Sequence, residues 1–139
     1  MPGFGETSSE GFAERYAAAM ARAEDTYRDV LDALNAAEIP AFITQTGGMC
    51  LAIQIPWGPP KPPHNEPDWF WLCDRDDSLS WDRDESQGWG LGFYLSENDD
   101  YGVNEDWEIL ERELKTPESA VDLVMEGIRN VQARHGEEQ

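Results

Sequence analysis

The sequence predicts an α+β fold: an antiparallel sheet of four to five strands, with a long N-terminal helix and a C-terminal helix packed on one face. Three observations carry this. Apolar residues recur at steps of three and four from Phe12 to Leu34, several short β-rich runs alternate in the middle of the chain, and a capped amphipathic stretch follows Thr116. At 139 residues the chain has the length of one domain, and six Trp, five Phe and four Tyr supply a core despite an apolar fraction of 40%.

Residues 1–8 are rich in Gly and Ser and are expected to be flexible, with Ser8 or Ser9 capping the first helix. Phe12, Tyr16, Ala19/Met20, Ala23, Tyr27, Val30/Leu31 and Leu34 then form one apolar stripe. A single helix of about 28 residues would be ~40 Å long, longer than a small sheet is wide. Pro40 stops it. The runs 41–45 and 49–55 flank Gly47-Gly48 and read as a hairpin. Residues 56–67 hold six of the nine prolines and are expected to interrupt the ladder as a stiff connection.

Asp68 to Cys73 and Trp89 to Leu95 read as strands separated by an acidic turn. Alternation puts Trp69 and Trp71 on one face, with Phe70 and Leu72 on the other. In the next strand Trp89, Leu91 and Phe93 oppose Gly90, Gly92 and Tyr94, and the glycines leave room for large rings or a ligand. A second acidic loop spans 96–106; in 107–114 the spacing of Trp107, Leu110 and Leu114 suits a helix and the alternation of Trp107 and Ile109 a short strand, the reading preferred here. Thr116 before Pro117 is a helix start, Val121, Val124/Met125, Ile128 and Val131 its expected buried face, and Gly136 its stop, leaving 136–139 as a flexible tail.

Charge is the most unusual feature. Ten Lys plus Arg stand against 29 Asp plus Glu, a net −19. Between Asp74 and Glu108 twelve acidic residues face only Arg75 and Arg83, a local balance of −10. Such a field repels phosphate backbones and anionic membranes and attracts cationic surfaces, so the expected partner is a basic protein rather than nucleic acid or membrane. The candidate docking residues are Asp74, Asp76, Asp77, Asp82, Asp84, Asp99 and Asp100, aided by Trp81 and Tyr101. An inhibitor, an immunity protein or a nucleic-acid mimic would share this profile. Solvated turns and the amino-acid usage of a high-GC genome are the competing explanation of the charge.

Other chemistry is sparse. No HExxH, CxxC pair, P-loop, GxSxG or dinucleotide fingerprint occurs, so no catalytic residue, metal or cofactor is assigned and a non-enzymatic protein is expected. Asp74, Asp76, Ser78, Ser80, Asp82 and Glu85 match the oxygen-ligand spacing of a calcium loop, but Leu79 stands where such a loop needs Gly. A calcium-stabilised binding module is therefore an alternative, and self-pairing through the long first helix, as a homodimer or structural subunit, is another. Cys50 and Cys73 lie in apolar runs and read as reduced thiols of a cytoplasmic protein, with one cross-strand disulfide as the alternative. The proline segment has PxxP spacing, which suits either a groove-binding ligand or a plain surface connection.

The run Trp71-Leu72-Cys73-Asp74-Arg75-Asp76, through Leu79, Trp81-Asp82-Arg83 and Gly88-Trp89 to Tyr94, resembles small uncharacterised proteins of high-GC bacteria and their phages. Ile39-Pro40 and the final Ala120–Val124 helix fit the same pattern, and the likeness covers about residues 25–132. The resemblance implies the order of elements and a cytoplasmic setting, and it assigns no activity or site residue.

Overall fold

Residues 4–47, 50–62, 65–74, 79, 87–95 and 110–138 are described in the computed structural model. They form helices α1 (Phe4–Thr26) and α2 (Arg28–Ala36), strands β1 (Phe42–Gly47), β2 (Cys50–Lys61), β3 (Glu66–Asp74), β4 (Trp89–Tyr94) and β5 (Leu110–Arg112), and helix α3 (Pro117–Glu138). The strands make one antiparallel meander in the order β1-β2-β3-β4-β5. The fold is α+β, as predicted.

The first helix differs from its prediction at both ends and in the middle. It starts at Phe4, ahead of Ser8, because helix elongation is cheap once the tertiary contacts downstream have set its first turns. It breaks at Tyr27, whose φ of −107° and ψ of 20° leave the helical region. Tyr27 is buried and packs edge-on against Trp89, with ring centroids 6.1 Å apart. The hydrogen bonds from Tyr27 N to Ala23 O and from Leu31 N to Tyr27 O, both 2.9 Å, persist across the break. The helix is therefore interrupted at Tyr27 without losing the hydrogen bonds on either side.

α2 ends before Pro40 is reached. Ile39 N donates to Leu34 O at 2.9 Å and Glu38 N to Asn35 O at 3.0 Å, with Glu38 at φ 64°. This is the paired-bond helix stop that normally uses Gly at the left-handed position, and buried Ile39 supplies its apolar contact. Glu38 carries a Cβ where glycine is favoured and a negative charge beside the helix C-terminus. Glu38→Gly is expected to raise stability by ~1 kcal/mol, a rise in Tm of about 2–4 °C for a chain of this size. Calorimetric melting of the two proteins checks this, and an unchanged or lowered Tm would show that the strain is relieved elsewhere.

The proline segment does not interrupt the ladder. β2 continues to Lys61, with Pro56 opposite Trp69, Trp57 opposite Asp68 and Lys61 opposite Glu66. β1 pairs with β2 only as far as Phe42↔Gln54, so beyond Gln54 one side of β2 needs no donor and a proline there breaks no bond. A register shift between Trp57 and Lys61 absorbs Pro59 and Pro60, and Gly58 at φ 84° is the residue that permits it. Asn65, at φ 55°, lies at the turn before β3.

Residues 110–112 are a strand, as read from the sequence. Thr116 caps α3 as expected: its Oγ1 accepts from Ser119 N at 3.1 Å, with Pro117 in the first turn. The helix runs through Gly136 to Glu138 instead of stopping there. Its buried face is Ala120, Leu123, Val124 and Val131, while Val121 and Ile128 are half-buried and Met125 is exposed. Gly127 explains this rotation. A Cβ there would lie 2.5 Å from Leu91 Cδ2 and 3.1 Å from Phe70 Cε1, so α3 turns its smallest residues to the sheet and approaches it closely.

All three helices lie on one face. Ile43, Ile53, Ile55, Phe70, Leu72, Trp89, Leu91 and Phe93 join Tyr27, Val30, Leu34, Leu123 and Val124 in a single core. Ala52 and Trp69, also buried, point to the opposite face.

Candidate functional site

Of the nine candidate docking residues only Asp74 is described; Asp76, Asp77, Trp81, Asp82, Asp84, Asp99, Asp100 and Tyr101 lie outside the described residues. Asp74 is not displayed to solvent. It is the last ladder residue of β3, opposite Trp89, and is 6% exposed. Its Oδ1 accepts from Gln87 N at 2.9 Å. A carboxylate held in this bond closes the base of the 75–86 segment, where β3 leaves the sheet and β4 enters it. Asp74 is therefore a positioning residue for the acidic turn, and the sequence placed it among the contact residues because nothing local marks a strand end as inward-facing.

Sequence reasoning missed a second anchor. Leu79 is 5% exposed and belongs to the core, and its N–H donates to Leu51 O at 2.9 Å. β3 pairs with β2 only as far as the Ile53↔Leu72 pair, so Leu79 takes up a backbone acceptor at the start of β2. The signal was present: Leu79 and Trp81 are the only large apolar side chains between Asp74 and Gly88. The same leucine stands at the glycine position of the calcium-loop spacing, and here it is an apolar peg rather than a free turn residue. Of that spacing's six oxygen residues, all but Asp74 lie outside the described residues. Among the described residues no group of three His, Cys, Asp or Glu could hold a metal ion.

The meander fixes where the two acidic segments attach. Segment 75–86 leaves at Asp74 and rejoins at Gln87, at the end of the sheet where β2 begins. Segment 96–109 leaves after β4 and rejoins at Leu110, at the opposite end. β4 has six residues, so the two attachment points are ~20 Å apart. The acidic residues around Asp82 and those around Asp99 thus hang from opposite ends of β4 and do not share one root.

Between these ends, on the face away from the helices, lies a compact aromatic group. Tyr94 stacks on Trp69, with centroids 5.9 Å apart and planes 10° apart, and lies 4.5 Å from Trp71. Trp71 is directly opposite Gly92, and the Tyr94 ring lies across that glycine, within 3.1 Å of where a Cβ would sit. The space left by Gly92 is thus filled from within the chain. Trp71 Nε1 donates to Gln54 Oε1 at 2.8 Å. Trp69 is 6% exposed, and its indole N–H has no hydrogen-bond partner among the described residues. Trp71 and Tyr94 are half-buried.

Cys73 is on this face, opposite Gly90, and forms no disulfide among the described residues. His64 lies outside the described residues. No helix among the described residues is long and apolar enough to cross a membrane.

The fold and the site define an acidic α+β protein whose sheet carries a compact aromatic group on the face away from the helices. Comparison with family models, with curated proteins and with solved structures found no match to this chain.

Proposed function

We propose that this protein acts by binding, not by catalysis, and that its partner is a basic protein received along β3 and β4 on the sheet face away from the helices. The observation that carries this reading is the placement of charge: a balance of −9 in the two segments, 75–86 and 96–109, that join the sheet at either end of β4. A cationic surface lying along these strands meets Asp76, Asp77, Asp82 and Asp84 at one end and Asp99 and Asp100 at the other. The half-buried rings of Trp71 and Tyr94 lie between, and aromatic residues of this kind anchor interfaces. The carboxylates supply steering and specificity, the rings the short-range contact. Blocking a basic enzyme or toxin is the role this arrangement suits.

The test starts from the protein that the immobilised chain retains from a lysate of its source organism. Its affinity is then measured by calorimetry at two salt concentrations. A partner with a strongly basic surface is expected, with affinity falling about tenfold over a threefold rise in ionic strength. Replacing Asp76, Asp77, Asp82 and Asp84 together by Asn, or Asp99 and Asp100 together by Asn, is expected to weaken binding about three- to thirtyfold per set. The two sets should combine nearly additively, since their roots are far apart. Affinity indifferent to salt and to both sets would reject the proposal.

A further inference from the structure

The β2–β3 hairpin outruns its sheet. β1 is last paired with β2 at Phe42↔Gln54, and β4 with β3 at Trp69↔Tyr94. Beyond these pairs β2 and β3 have only each other in the ladder among the described residues. The base of this arm is fixed: Trp57 meets Phe70 edge-on, with ring centroids 6.3 Å apart, and Asp68 opposite it is buried. Past Trp57 the burial ends, and Gly58, Pro59, Pro60, Pro62, Asn65 and Glu66 are all exposed. The ladder resumes only at Lys61↔Glu66, and in between Gly58, Pro59 and Pro60 stand where β3 has Pro67 alone. These extra residues make a bulge that closing the hairpin does not require.

Proline gives the bulge its shape. Each ring locks φ near about −65°, and a residue before proline is driven to extended ψ, as Pro59, Lys61 and Pro62 all are by sequence. Residues 59–61 lie in the extended strand β2, so together with Pro62 they follow a left-handed polyproline helix of about three residues per turn. Pro59 and Pro62 therefore share one ridge, ~9 Å apart. The same residues offer carbonyl acceptors and no N–H. An added strand needs donors as well as acceptors, so this ridge is a poor site for sheet extension by any chain, a second copy included.

We infer that the Pro59–Pro62 ridge docks into an aromatic-lined groove of another protein, of the kind that reads polyproline. Such a groove complements what the arm presents. Tyr and Trp rings pack on the proline rings, and their O–H and N–H groups supply the donors that an acceptor-only backbone lacks. The ridge is held in shape before any partner arrives, by its own rings and by the Trp57 anchor, which lowers the ordering cost of binding. This inference does not rest on the basic partner proposed above, because the contact is short-range and apolar.

The probes are isolated polyproline-reading domains of the SH3 and WW types, chosen near zero net charge and titrated into the isotope-labelled full chain under nuclear magnetic resonance. At least one should bind with micromolar affinity and shift the amides of Gly58, Lys61, Asn65 and Glu66, leaving those of Glu111 and Arg112 in place. Pro59→Ala combined with Pro62→Ala, at exposed positions and checked for an unchanged circular dichroism spectrum, should weaken that binding about tenfold or more. Raising the ionic strength about threefold should alter it by less than about threefold. The Asn variants of the two acidic sets should bind these probes as the wild type does, so the two proposals fail separately. No binding at millimolar probe would overturn the inference, as would binding that the double variant retains in full. Shifts centred on Trp71 and Tyr94 would also overturn it, and so would concentration-dependent shifts of the arm without any probe, which mark a second copy as the occupant.

Discussion

Trp89→Ala is expected to remove ~3–5 kcal/mol of folding stability, the range for truncating a fully buried large aromatic. Trp89 is 1% exposed, but its position matters more than its burial. In the ladder it stands between Asp74 of β3 and Arg112 of β5. Its ring meets Tyr27 edge-on at the break between α1 and α2, and its Nε1 donates to Thr116 O at 3.0 Å, in the residue that caps α3. One side chain thus joins both helical segments to the middle of the sheet.

The Phe variant separates volume from hydrogen bonding. Thr116 O also accepts from Ala120 N at 3.1 Å, so losing the indole donor leaves that carbonyl partnered. Trp89→Phe should therefore cost only about 1–2 kcal/mol, divided between lost contact and the lost indole hydrogen bond. Urea unfolding followed by far-ultraviolet circular dichroism measures both without relying on the fluorophore being removed. Since small domains are stable by only about 5–15 kcal/mol, the Ala variant should have a visibly lower midpoint. A loss below ~1 kcal/mol for Trp89→Ala would mean that the helices and sheet hold together without this joint.

What was legible in the sequence was whatever depends on near neighbours. The Thr116-Pro117 start of α3 is local capping chemistry, and the alternation of Trp69 and Trp71 against Phe70 and Leu72 is strand geometry; both appear as read. The errors share another origin. The break at Tyr27 depends on Trp89, 62 residues away in the chain, so no local breaker announces it. The prolines of 56–60 look incompatible with a ladder until β1 is seen to end at the Phe42↔Gln54 pair, leaving one side of β2 without a neighbour to serve. On α3 the sequence favoured Val121, Val124/Met125, Ile128 and Val131 as the buried face, and of these Val124 and Val131 are buried, Val121 and Ile128 half-buried and Met125 exposed. The close approach of helix to sheet selects Ala120 and Gly127 instead, because only small residues fit against Leu91 and Phe70. For the site, the concentration of charge could be counted from the residues, but its division between opposite ends of β4 required the register, and so did the inward turn of Asp74.

Leu79→Ala separates charge from positioning at the acidic turn. The substitution alters no charge, and it deletes the apolar peg that holds the middle of the 75–86 segment to the core beside Leu51. Truncating a buried leucine costs about 2–5 kcal/mol when the neighbours cannot close the gap. The lower end, ~2 kcal/mol, is expected here because a chain-end anchor can relax more freely than the centre of a core. Its effect on the proposed partner should be larger than that loss suggests. Once the peg is gone the carboxylates on either side must be ordered when the partner arrives, and that entropy is withdrawn from the binding free energy. Affinity should fall about tenfold, equivalent to ~1.4 kcal/mol. The salt dependence should stay that of the wild type, because the same charges still meet the same surface. The Asn variants should do the reverse, flattening the salt dependence with little effect on the melting temperature. Leu79→Met, which keeps the volume, should restore both stability and affinity. If Leu79→Ala lowers stability yet binds as tightly as the wild type, the turn needs no prior ordering and its charge alone accounts for recognition.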